Sequence, residues 1–84
     1  MTTNEVQTKV IDLLRRTIEE SSGREVELEL DTELMSSGYL DSLTVLQLFV
    51  ALQEELGVEL GADDLTEQAF GTPKAIAELI EERM

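Results

Sequence analysis

Two adjacent polar residues, Asp41 and Ser42, stand between Gly38 and the most apolar segment of the chain. A carboxylate next to a hydroxyl has two uses here. Asp41 can cap a helix that begins at Ser42 by accepting its free backbone N–H groups. A phosphoryl group on Ser42 would then meet unpaired N–H donors and the positive end of the helix dipole. Asp-Ser ahead of an apolar helix is also an ordinary capping pair, so these two residues alone leave both readings open. Gly38 supplies backbone freedom for the turn that leads in.

The other side chains limit what the protein can catalyse itself. It has no histidine and no cysteine, so the usual nucleophile–base pairs cannot be built. Carboxylate-only catalysis needs a cleft that a domain of 84 residues rarely offers. The expectation is not an enzyme but a protein acted upon by others. A calcium site around Glu59, Asp63 and Asp64 lacks the Asp-x-Asp-x-Asp-Gly spacing. These acids read as a solvated face and helix caps, and no metal site is expected.

The formal net charge is −13, from 19 acidic and 6 basic residues. Such a chain repels nucleic acid and anionic membranes and is drawn to basic protein surfaces. The N-terminus is polar, and no apolar run is long enough to span a bilayer. The expectation is a cytoplasmic, free-standing monomer forming a single domain over residues 1–84.

Positioning Asp41 and Ser42 falls to helices. Val6, Val10, Leu13, Leu14, Thr17 and Ile18 share one face at spacings of three and four. They predict a helix over about residues 3–21. Thr2 and Glu5 have the spacing of a capping box. Val26, Leu28 and Leu30 then alternate with acids, but no second strand-like run exists to pair with them. This stretch reads as an ordered long loop that tucks alternate aliphatic residues under the helices.

From Ser42 to Gly57 the pattern is helical again. Leu48, Leu52 and Leu56, with Val45 and Phe49, form the expected buried stripe, while Leu43, Leu46 and Val50 lie on a different face. Gly57 closes the helix. A short helix is expected over about residues 63–69, with Leu65 and Phe70 as anchors. Thr72 and Pro73 open the last helix, whose inner stripe is Ile76, Leu79 and Ile80. The predicted fold is all-α: a small four-helix bundle of three main helices and one short one, with a long loop between the first two main helices.

Taken together, the glycine before "LDSL", the downstream "GVEL" and the Thr-Pro start of the last helix resemble the acyl carrier protein family, which includes peptidyl and D-alanyl carrier proteins. The resemblance covers nearly the whole chain. It implies that Ser42 carries a 4′-phosphopantetheine arm, received from coenzyme A through a phosphodiester. The terminal thiol would hold an acyl or aminoacyl group as a thioester. The thiol missing from the chain is thus supplied by a prosthetic group, and partner enzymes supply the acids and bases. Asp41 matches the residue that helps position the modifying enzyme and a metal ion. Leu43, Leu46 and Val50 match apolar contacts for partners, rimmed by Gln47, Gln53 and Glu54, while Tyr39 packs on the loop or touches the arm or a partner. The implied partners are a phosphopantetheinyl transferase, an adenylating ligase and an acyltransferase or synthase.

Two departures narrow the subtype. Fatty-acid carriers read Leu-Gly-x-Asp-Ser-Leu, whereas Gly38 lies one place earlier. That order is similar to D-alanyl carriers and to discrete carriers of amino-acid-derived units in polyketide or non-ribosomal peptide pathways. The second main helix also has Thr44, Gln47 and Gln53 where fatty-acid carriers have acids. A dedicated partner that docks by shape and apolar contact is expected. Phe49 and Phe70 are expected to fill the space between helices, which favours a small or aminoacyl cargo.

Overall fold

Thr2 opens the first helix. Its hydroxyl oxygen accepts the Glu5 backbone N–H at 3.2 Å and its own O–H reaches the Glu5 carboxylate at 3.3 Å. The computed structural model describes residues 2–84. Helix α1 runs Thr3–Ser22 and ends on Gly23, which adopts the left-handed conformation at φ 74° and donates its N–H to the Glu19 carbonyl. The expected face is the buried one: Val6, Val10, Leu13, Leu14, Thr17 and Ile18. Thr17 is accommodated there because its hydroxyl donates to the Leu13 carbonyl at 2.8 Å.

Helix α2 spans Ser42–Leu56 and α3 spans Pro73–Arg83. Gly57 closes α2 at φ 66°. Thr72 caps α3, its hydroxyl accepting the Ala75 N–H at 3.1 Å, and Pro73 takes the first turn as expected. Both helices pack against α1. Val45, Leu48 and Leu52 of α2 and Ile76, Leu79 and Ile80 of α3 join the buried face of α1 in one core. Leu56 and Phe49 are only half-buried at its margin.

The short helix expected over residues 63–69 does not form. Its place is taken by a 3₁₀ turn, Ala62–Asp64, followed by a separate turn through Thr66. Asp64 turns its carboxylate back to the Gly61 N–H at 3.0 Å and also holds the Arg83 guanidinium on α3. Thr66 starts its own turn by accepting the Ala69 N–H at 3.1 Å. Two local caps in succession compete with a continuous helix. Among the described residues the architecture is therefore three α-helices and a 3₁₀ turn, not a four-helix bundle. No strand occurs among the described residues.

The long loop between α1 and α2 is ordered, with its aliphatic residues turned in. Val26, Leu28 and Leu30 are half-buried, while Glu25, Glu27 and Glu29 face solvent. Leu34 anchors it. Its side chain is fully buried, its N–H donates to the Gly71 carbonyl at 2.8 Å, and its carbonyl accepts the Leu40 N–H at 3.0 Å. A second link runs from the Lys74 N–H to the Leu30 carbonyl at 3.0 Å. The loop is thereby tied both to the start of α3 and to the turn that precedes α2. These bonds also satisfy backbone groups that a strand-less segment would leave unpaired.

Candidate functional site

The approach to α2 is a tight turn. Gly38 sits at φ 83° and donates its N–H to the Met35 carbonyl at 3.2 Å. Only glycine takes that backbone angle without strain. Tyr39 follows, 36% exposed, lining a groove with Ile18, Arg24 and Val26. Leu40 turns inward and is buried. The turn therefore delivers Asp41 and Ser42 to the surface at the helix start.

Asp41 is the N-cap, with extended backbone at φ −110° and ψ −178°. Its Oδ1 accepts the Thr44 N–H at 2.8 Å. That bond, helped by the Thr44 hydroxyl and the Leu43 N–H, holds the carboxyl below the usual carboxylate range. Asp41 is thus a carboxylate at neutral pH. Ser42 is the first residue of α2, and its side chain is exposed. Helix geometry leaves the N–H groups of Ser42 and Leu43 without intrahelical acceptors.

Thr44 stands at one of the positions where fatty-acid carriers have acids. It is buried, and its hydroxyl lies 3.3 Å from that of Ser21, at the end of α1. This contact ties the first turn of α2 to the last turn of α1. Gln53 is half-buried as well. Its Oε1 accepts the Leu60 N–H at 3.2 Å and its Nε2 reaches the Phe49 carbonyl at 3.4 Å, so it secures the chain after α2 instead of rimming a surface. Gln47 and Glu54 are exposed.

The apolar residues beside Ser42 face solvent. Leu43 is 63% exposed, and Leu46 and Val50 are each 50% exposed. Among the described residues five large hydrophobic side chains are exposed; four of them, these three and Tyr39, flank Asp41 and Ser42 in sequence, and the fifth is the terminal Met84. Exposure of this kind is scattered on an ordinary surface and concentrated on a functional one. The exposed side of α2 carries no charge between Asp41 and Glu54.

Ser42 also lines an open, largely apolar cleft of about 270 Å³ with Met35, Val45, Leu46, Leu65 and Phe70, to which Thr66 and Glu67 add polar edges. Met35 and Leu65 come from segments on either side of α2, and no sequence spacing links them to the serine. The Phe70 ring is tilted against that of Phe49, with centroids 6.4 Å apart. The candidate calcium acids are not gathered: Asp64 is engaged by Arg83 and Gly61, and among the described residues no group of three potential ligands comes together.

Comparison with known proteins bears on the same segment. Residues 9–80 match the family model described as a phosphopantetheine attachment site. The D-alanyl carrier protein of Bacillus cereus (strain B4264) is 32% identical over 78 residues, covering 93% of this chain and 95% of that protein. The D-alanyl carrier protein of Bacillus anthracis is similar to the same degree over the same length. That of Enterococcus faecalis is 37% identical over 51 residues, and the match spans 65% of its length. The chain belongs to the phosphopantetheine carrier-protein family, whose members work through a covalently attached 4′-phosphopantetheine.

Proposed function

We propose that Ser42 is the residue that carries the arm and that the arm holds a small, amino-acid-derived acyl group as a thioester. The observation that supports this most directly is the exposed Ser42 hydroxyl at the first position of a capped helix. A phosphodiester there would lie at the positive end of the α2 dipole, beside N–H groups with no intrahelical acceptor. Asp41 fixes the backbone that presents the hydroxyl. The prosthetic group supplies the thiol, and the chain's own side chains are not catalytic. The protein acts in the cytoplasm as a carrier between an adenylating ligase and a transferase or synthase, a role suited to a natural-product pathway. Leu43, Leu46, Val50, Gln47 and Tyr39 form the surface on which these enzymes seat.

A second reading of the cargo is D-alanine itself. Relatives aligned over nearly their full length are named for it, which favours this reading.

The test has two stages. Incubation with coenzyme A and a broad-specificity phosphopantetheinyl transferase is expected to add one arm by intact mass, and Ser42→Ala to abolish the gain. No gain overturns this reading in favour of an unmodified acidic adaptor, and a gain that survives Ser42→Ala overturns the assignment of the arm to Ser42. The holo protein is then offered ATP, D-alanine or other amino acids and candidate ligases, and the thioester is identified by mass.

A further inference from the structure

The end of α1 passes the start of α2 at a pair of hydroxyls, those of Ser21 and Thr44. We propose that Ser21 and Thr44 are positioning residues for the modification of Ser42: together they fix the first turn of α2, and with it the direction in which the Ser42 hydroxyl is presented. This role rests on Ser42 being the attachment residue.

Apolar packing gives that turn little hold. Of the first five residues of α2 only Thr44 and Val45 are buried. Among the described residues two polar side-chain contacts join α1 to α2. One is Arg16–Glu55, 3.4 Å apart near the far end of α2, with both side chains more than half exposed. An exposed pair of that kind contributes little. The other is Ser21–Thr44, 3.3 Å apart, with Thr44 only 3% exposed.

Thr44 acts on Asp41 at two points. Its N–H makes the cap bond to Oδ1 at 2.8 Å, and its hydroxyl helps hold the carboxyl ionised. A carboxylate can only accept, so the Thr44 O–H is turned to Asp41 and Ser21 donates to the Thr44 oxygen. Such a chain of donors is stronger than its separate links. It ends on the residue directly before Ser42. The Asp41 carbonyl then accepts the Val45 N–H at 2.9 Å and closes the turn.

The transfer depends on where the Ser42 oxygen points. That oxygen attacks the phosphorus of coenzyme A that bears pantetheine. The bond from this phosphorus to the adenosine bisphosphate leaving group breaks, and a base of the transferase takes the hydroxyl proton. A turn that opens misdirects the oxygen even when the enzyme is docked, which lowers kcat and leaves KM in place.

Thr44→Val tests this, because it keeps the side-chain shape and the cap N–H while removing the hydroxyl. Arm transfer from coenzyme A is followed by intact mass. The kcat for transfer is expected to fall roughly fivefold, the equivalent of one hydrogen bond, with KM held within about twofold. Ser21→Ala should show the same loss, and the double variant no more than either single one. Thr44→Ser should restore the rate. Amide exchange at Val45 should quicken in step with the loss of kcat, while that at Leu52 stays unchanged. Arg16→Ala, which breaks the other contact between the helices, should leave the rate as it was. Unaltered kcat in Thr44→Val and Ser21→Ala overturns the proposal. So do losses that multiply in the double variant, a loss that Thr44→Ser does not restore, or an equal loss in Arg16→Ala. No arm on the unsubstituted protein overturns the attachment reading and this role together, whereas an arm added at one rate to every variant overturns this role alone.

Discussion

The Asp41 carboxylate and the Thr44 backbone nitrogen are 2.8 Å apart, and Ser42 is the exposed residue directly after the cap they form. The bond stabilises the ionised carboxyl, and the Arg83 contact does the same for Asp64. A pKa lowered in the folded state means that the unfolded chain binds the proton more readily. The stabilisation is therefore complete above the ordinary value of 3.8 and is lost as pH falls through the lowered values. Urea midpoints should be level near neutrality and drop below about pH 4. Asp41→Asn and Asp64→Asn should each flatten that drop. Added salt should weaken the Asp64 contribution more than that of Asp41, because the first is an ion pair and the second a bond to a backbone N–H.

Gly38→Ala tests the turn. A Cβ at Gly38 would meet nothing within 4 Å, so the cost comes from its φ of 83° alone. Urea denaturation should show a loss of about 1 to 2 kcal/mol. Gly38→Asn should lose less, because asparagine tolerates the left-handed region better. Both variants should slow modification of Ser42 in the order of their strain.

Gln53→Ala separates structure from docking. It removes the acceptor of the Leu60 N–H and should cost about 1 kcal/mol in chemical denaturation. Transferase kinetics measured well below the melting temperature should be unchanged. Gln47→Ala, at an exposed position on the same helix, should leave stability unchanged and raise the KM for a partner enzyme.

Leu43→Asp, Leu46→Asp and Val50→Asp should each shift stability by no more than about 0.5 kcal/mol, since these side chains are at least half exposed. If they seat partner enzymes, kcat/KM for loading should fall by roughly tenfold or more, the loss of one apolar contact together with burial of a charge. Unchanged kinetics in all three variants would place the docking surface elsewhere.

The three main helices were legible because their apolar spacing and caps are local signals. Thr2, Asp41 and Thr72 all cap as their types suggest, and the helical angle between Leu48 and Leu46 separates a buried face from an exposed one. The short helix gave way to the local caps at Asp64 and Thr66, and the contact that fixes the first of these is non-local. Asp64 is held by Arg83 from the far end of α3, a partner that no window around residue 64 contains. Gln53, expected at the rim, lies elsewhere because a polar side chain can serve a buried contact as readily as a surface. Leu34 was not singled out by any spacing, since the two links it makes run through backbone N–H and carbonyl groups that every residue owns. The cleft was illegible for the same kind of reason, with walls drawn from three separate segments.

The link from Leu34 to Gly71 has a consequence for synthesis. The chain grows from its N-terminus, so Asp41 and Ser42 emerge from the ribosome well before Gly71 does. Until that carbonyl arrives, the Leu34 N–H lacks its partner and the loop that holds the Leu40 N–H is untethered. A nascent chain thus carries the serine without the frame that presents it. The finished presentation of Ser42 therefore waits on residue 71, some thirty positions further along the chain.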